Sequence, residues 1–169
     1  MSFLFPPKIK RIIVTGGLGF IGSNLVCKIL LESNIEVINI DKVSYCSDET
    51  SINKVLSSLD NPEKRYKLIK LDLSKTQETI DLVVKIKPDL IIHLAAESHV
   101  DRSIDFPNSF SSNNIISTLN LLEASRKYWN LLSDNRKSIF RFHYISTDEV
   151  FGSLMSDKKF NEKSLFNPR

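Results

Sequence analysis

The sequence is poor in the residues that mark several large protein classes. Its two cysteines, Cys27 and Cys46, cannot build a disulfide framework and read as reduced thiols. With only three histidines, set apart from one another and from the cysteines, no metal site is expected. No apolar run approaches the ~18 residues of a membrane span. The opening Met1-Ser2-Phe3-Leu4-Phe5-Pro6-Pro7-Lys8 does not have the layout of a signal peptide. Lys and Arg (23) exceed Asp and Glu (20) by three, without a basic run, which argues against nucleic acid or an anionic membrane as partner. What is left is a chain of 169 residues, 41% hydrophobic and 25% charged, about one domain in length and expected in the cytoplasm.

Glycine is scarce too, and its placement is informative. Of five glycines, four (Gly16, Gly17, Gly19 and Gly22) fall within seven residues. Glycine concentrated in this way marks backbone that must approach something closely or take a positive φ.

Apolar runs at 9–14, 35–40, 66–71, 90–95 and 140–145 read as strands. Between them, 20–31, 76–86 and 108–132 have helical spacing, with Ile21, Leu25, Ile29 and Val26, Leu30 at i, i+4 in the first. The polar stretch 42–64, closed by Pro62, has room for a short helix. Alternating strands and helices predict an α/β fold with right-handed crossovers. The expected architecture is one domain over 1–169, a Rossmann-type doubly wound parallel sheet in the order 3-2-1-4-5 that ends after its fifth strand. Helix 108–132 carries two apolar stripes, Ile115, Leu119, Leu122, Trp129 and Leu121, Ala124, Tyr128, Leu131. The second stripe suggests a second buried surface.

The glycines at 16, 19 and 22 sit between a strand and a helix in a G-x-x-G-x-x-G spacing. A tight turn there brings bare backbone to a pyrophosphate, and the helix N-terminus supplies free N–H groups and positive dipole. Leu18 inside this loop is expected to crowd the backbone. Asp41, at the end of the second strand, is placed to accept hydrogen bonds from an adenosine ribose, and its charge favours NAD over NADP. Ligands of such sheets bind outside the carboxyl ends of the strands. Asp72-Leu73, Leu94-Ala95-Ala96-Glu97-Ser98-His99 and Ser146-Thr147-Asp148-Glu149 should therefore line the crevice. His99 and His143 read as structural.

The glycine loop, LAAESHVDRS at 94–103, LLEASRKYW at 121–129 and FRFHYISTDEVFG at 140–152 resemble the extended branch of the short-chain dehydrogenase/reductase superfamily, and within it the dTDP-glucose 4,6-dehydratases. The resemblance implies a cofactor site at Gly16, Gly19, Phe20, Ile21, Gly22, Asp41, Lys42, Asp72, Leu73, Leu94, Ala95, Ala96, Glu97 and Ser98. Val43, Ser44 and Asn113 also stand at cofactor-contacting positions but differ from the family's usual residues, as Phe151 and Ser117 do elsewhere. Asn114 and Thr118 match. Ser98 and Thr147 correspond to sugar-contacting positions, and the catalytic set is Thr147, Asp148 and Glu149.

The implied reaction converts dTDP-glucose to dTDP-4-keto-6-deoxyglucose in deoxysugar (rhamnose) biosynthesis. Oxidation at C4 acidifies the C5 proton, which Glu149 removes. Asp148 protonates the departing C6 hydroxyl, and hydride returns to C6. Neighbouring carboxyls in a closed site repel, so one protonated acid beside one ionised base is expected. The family's Tyr-x-x-x-Lys is expected about three residues past Arg169, and none of Tyr45, Tyr66, Tyr128 and Tyr144 is read as its substitute. Turnover by these 169 residues alone is therefore not expected. The complete enzyme is expected to be a homodimer formed through helix 108–132. The competing readings are an NAD-binding remnant without catalysis, and a UDP-sugar dehydratase or epimerase relative.

Overall fold

The computed structural model describes residues 5–154 and 159–168. Five strands, β1 (Arg11–Thr15), β2 (Glu36–Asp41), β3 (Tyr66–Lys70), β4 (Leu90–His93) and β5 (Arg141–Tyr144), form one sheet in the order β3-β2-β1-β4-β5. Every pairing is parallel, with Ile13 opposite Ile38 on one side and Ile91 on the other. The β-branched runs make this possible because both faces of the central strands are covered. Ile12 and Val14 pack with Val26, Ile29 and Leu30 of α1 (Phe20–Glu32) and with Ile52 of α2 (Thr50–Leu56). Ile13, Ile38 and Ile91 point the opposite way, toward Ile80 and Val83 of α3 (Thr76–Ile86) and Leu121, Ala124 and Tyr128 farther along. The Rossmann-type sheet order and the short helix within 42–64 are as the sequence implies.

Three expectations need correction. The helix expected over 108–132 is present but contains a π-helical turn, and a further short helix precedes it. The chain runs through α4 (Val100–Asp105), α5 (Pro107–Ser111), a π-helical turn at Ser112–Ile116, α6 (Ser117–Asn130) and α7 (Asp134–Lys137). Pro107 excludes helical backbone at Phe106, whose φ of −132° and ψ of 59° separate α4 from α5. In the wide turn, the Ser117 hydroxyl donates to the Ser112 carbonyl five residues back, at 3.2 Å. Second, Ile21 is not a core member of the α1 stripe but is 64% exposed at the helix start, beside Phe20 at 87%. Third, Leu18 does not crowd the loop: its side chain is buried in the core with Ile12 and Val14.

The two stripes of the long helix separate as drawn, with one exception. Leu121, Ala124 and Tyr128 are buried, whereas Leu131 joins Ile115, Leu119, Leu122 and Trp129 on the exposed side. No helix among the described residues is long and apolar enough to cross a membrane.

Gly16 takes φ +68°, and a Cβ there would lie 2.7 Å from the Ala95 Cα, so the first turn of the loop touches the loop after β4. A Cβ on Gly22 would strike the Gly16 carbonyl oxygen and lie 2.8 Å from the Gly17 Cα. These neighbours are backbone and cannot rotate away. Gly22→Ala is expected to destabilise the chain by about 1–3 kcal/mol, read as a lower urea midpoint at unchanged slope.

Candidate functional site

The glycine loop is held from below by the end of β2. The Gly16 N–H donates to the Ile40 carbonyl at 2.9 Å, Gly17 N–H to the Asn39 Oδ1 at 3.1 Å, and Leu18 N–H to the Asp41 Oδ2 at 3.0 Å. The Gly19 N–H closes the turn onto the Gly16 carbonyl at 3.1 Å. The loop amides before α1 are thus all satisfied inside the protein. The helix itself starts differently: Gly19 is its N-cap, no side chain caps it, and no acid lies in its first turn. Phe20 and Ile21 are exposed and Gly22 is buried behind them, so the helix start presents uncapped N–H groups and positive dipole at the surface, an arrangement suited to a diphosphate.

Asp41 does more than its predicted role. Its Oδ1 accepts the Val43 N–H at 2.8 Å and the Ser47 hydroxyl at 3.2 Å, and the residue is only 7% exposed. It ties the 42–47 loop to the glycine loop, and one of its four acceptor positions is left over. Val43, at φ +59°, is a β-branched residue in left-handed backbone, a conformation that needs such tethering. Lys42 Nζ reaches Glu97 Oε1 at 3.2 Å. Asp72 lies at the neighbouring strand end. Burial raises its carboxyl, but hydrogen bonds from Ser74 and the Lys42 and Lys75 charges outweigh that and hold it below the usual range.

Leu73 is buried, and its carbonyl accepts from Thr79 and Asn120. Its side chain belongs to the core cluster that includes Ile38, Ile40 and Ile80. Leu94 and Ala95 are half-buried, and Ala96 and Ser98 are exposed. Asn113 lies on the π-helical turn, where its Nδ2 donates to Ser109 Oγ at 3.4 Å.

A hydrogen-bond chain not visible in the motifs positions the 94–97 loop. The Ala95 N–H donates to Thr15 Oγ1 (3.3 Å), which lies 2.6 Å from His93 Nδ1. On the other side of the ring, His93 Nε2 lies 2.9 Å from Thr118 Oγ1, whose hydroxyl donates to the Asn114 carbonyl at 2.8 Å. Thr118 spends its proton on that carbonyl, so His93 carries hydrogen on Nε2 and accepts from Thr15 through Nδ1. Asn114 then clamps Glu97, accepting its N–H at 2.8 Å and donating to its carbonyl at 2.9 Å. A histidine inside an otherwise apolar strand and a polar pair four residues apart on a helix are the signals that could have found this network.

Thr147, Asp148 and Glu149 follow β5, adjacent to β4, on a 3₁₀ turn spanning Asp148–Phe151. Thr147 Oγ1 accepts the Glu149 N–H at 3.3 Å and lies 3.4 Å from Asp148 Oδ1. Phe151 stacks on Phe160 (centroids 5.1 Å apart), which supports the turn from the C-terminal segment. All three side chains are exposed, so the described residues do not build the closed surround that the acid–base expectation requires.

Tyr66 is followed by Lys70, so spacing alone does not exclude it as the tyrosine of a Tyr-x-x-x-Lys pair. The structure does. The two lie about 13 Å apart along a strand, at the sheet edge farthest from β5. Burial raises the Tyr66 hydroxyl pKa, opposite to what a proton-accepting tyrosine needs, and its oxygen accepts from Asn39 at 3.0 Å.

The model of the GDP-mannose 4,6 dehydratase family matches residues 13–169. The chain belongs to this family. Among curated members, the dTDP-glucose 4,6-dehydratase of Haemophilus influenzae is 44% identical over 159 residues, covering 94% of this chain and 46% of its own length. The chain thus spans less than half of that relative. DesIV, a dTDP-glucose 4,6-dehydratase from Streptomyces venezuelae solved with NAD and TYD bound, is similar at TM-score 0.75 and 31% identity, over 94% of this chain and 45% of that one. The UDP-Glc/GlcNAc 4-epimerase of Campylobacter jejuni gives TM-score 0.77 at 25% identity, over 95% and 44%. The likeness read from LAAESHVDRS and FRFHYISTDEVFG is borne out by the family match and the dehydratase relatives.

His93 gives β4 a pH signature. Burial pulls its pKa from 6.5 to about 4. Between those values the unfolded chain binds the proton and the folded one does not. Stability is therefore full above about pH 6.5 and falls as pH drops toward 4, by up to about 3 kcal/mol. Urea midpoints from pH 7 to 4 should fall more steeply for the unaltered chain than for His93→Gln. Parallel slopes would mean that His93 is not buried neutral.

Proposed function

We propose that this chain is the cofactor-binding part of an NAD-dependent nucleotide-sugar 4,6-dehydratase that acts on dTDP-glucose. The observation that carries the reading is the uncapped first turn of α1, set behind a glycine turn whose own amides are already satisfied. The Gly16–Ala95 approach and the acid-free helix start fit a dinucleotide diphosphate. Asp41, Lys42 and the 42–47 loop border the adenosine side, and Ala95, Ala96 and Ser98 border the other. Bound NAD supplies a hydride acceptor for C4 of the sugar and the hydride later returned to C6.

The chain's own contribution to the chemistry is the exposed acidic turn. Once C4 is a ketone, Glu149 takes the C5 proton and Asp148 gives a proton to the C6 hydroxyl as it leaves as water. Thr147 sits where a hydroxyl contacts the sugar and caps the turn that holds both acids. The dTDP form is favoured over other nucleotides by the names of the curated relatives at more than 40% identity. The product belongs to deoxysugar synthesis of the rhamnose type, carried out in the cytoplasm. The exposed row Ile115, Leu119, Leu122 and Trp129 supports a homodimer of the complete enzyme.

Calorimetric titration of NAD into the chain is expected to give one site per chain. Ile21 is exposed, so Ile21→Glu tests the helix start without disturbing the core. It should weaken NAD binding roughly tenfold through repulsion of the diphosphate, with Ile21→Gln close to the unaltered chain. Absence of binding by the unaltered chain, or equal affinities for the Glu and Gln variants, would contradict the reading.

A further inference from the structure

Asp41 is the residue expected to exclude a 2′-phosphate, yet its carboxylate faces inward onto the Leu18 and Val43 N–H groups and the Ser47 hydroxyl. The charged group beside it with greater access to solvent is a cation. Lys42 keeps 35% of its side chain exposed, next to where an adenosine ribose would lie. Left alone, that ammonium would attract a phosphate monoester and work against Asp41.

It is not left alone. Lys42 follows β2, and Glu97 lies in the loop after β4. With β1 between those strands, their 3.2 Å contact spans the end of β1 above the glycine loop. The Glu97 side chain is only 14% exposed, and its peptide is fixed from both sides by Asn114, so the carboxylate is a positioned partner. A second contact joins the same two loops, Tyr45 against His99 with ring centroids 6.5 Å apart. Lys42 also acts, together with Lys75, on the Asp72 carboxylate.

We propose that Glu97 is a specificity-determining residue of the cofactor site: by holding Lys42 in an ion pair across the crevice, it withholds the positive charge that a 2′-phosphorylated dinucleotide would need. Discrimination between NAD and NADP is then shared between Asp41, which repels, and Glu97, which occupies the nearby cation. The inference rests on the NAD reading above and goes beyond it by assigning the selectivity to a second residue.

The test measures dissociation constants of NAD and NADP for the unaltered chain, Glu97→Gln and Glu97→Gln/Lys42→Met, with thermal melting to confirm that each is folded. Glu97→Gln keeps the backbone groups that Asn114 clamps. It should improve NADP binding relative to NAD by about tenfold, and the added Lys42→Met should abolish that gain. A preference ratio within twofold of the unaltered chain in Glu97→Gln, or a gain that survives loss of Lys42, overturns the role of Glu97 while leaving NAD binding intact. If the folded, unaltered chain binds neither dinucleotide, the cofactor reading fails and this inference fails with it.

Discussion

The site depends on one set of hydrogen bonds, those by which the end of β2 holds the glycine loop. Ile40, Asn39 and Asp41 take the N–H groups of Gly16, Gly17 and Leu18 in succession. A loop whose amides are satisfied internally neither collapses onto the helix nor needs a ligand to hold its shape. The first turn of α1 is then the place where unsatisfied donors meet solvent. Asn39 extends the brace to the next strand by donating to the Tyr66 oxygen, so β3, β2 and the loop are mechanically continuous.

On the other side of β1, the chain Ala95–Thr15–His93–Thr118–Asn114 does for the 94–97 loop what Asn39 and Asp41 do for the glycine loop. A buried imidazole is costly when unpartnered, and here both ring nitrogens have partners. The network joins two strands to α6 and fixes the peptide of Glu97. The two braces flank the switch point between β1 and β4, where the strand order reverses. Ligands of open α/β sheets bind at such points.

Much of this was legible in the sequence because it is local. The β-branched runs declared the strands, the glycine spacing declared the turn, and Asp41 stood at the expected distance after Gly22. What was not legible depends on direction and on long-range partners. Leu18 in a glycine-rich loop gives no sign of pointing into the core, and Leu73 none of being buried. Asn39 passes as an interruption in an apolar strand until the loop it serves is beside it. The 108–132 periodicity conceals the π-helical turn, which preserves the apolar pattern while changing the backbone. Tyr66 and Lys70 carry a catalytic spacing on a strand, where that spacing does not bring the two together. Asp148 and Glu149 were found by motif, but a motif says nothing of their exposure.

The central claim is that the start of α1, braced from β2, is a dinucleotide-binding surface. Amide NMR shifts of the isotope-labelled chain during titration with NAD test it most directly. The largest changes should fall on Phe20, Ile21 and Gly22, followed by 41–44 and 94–98, with 138–141 at the opposite end of the sheet unmoved. Unchanged amides at 20–22 under saturating NAD, or changes concentrated at the opposite end, would contradict the account.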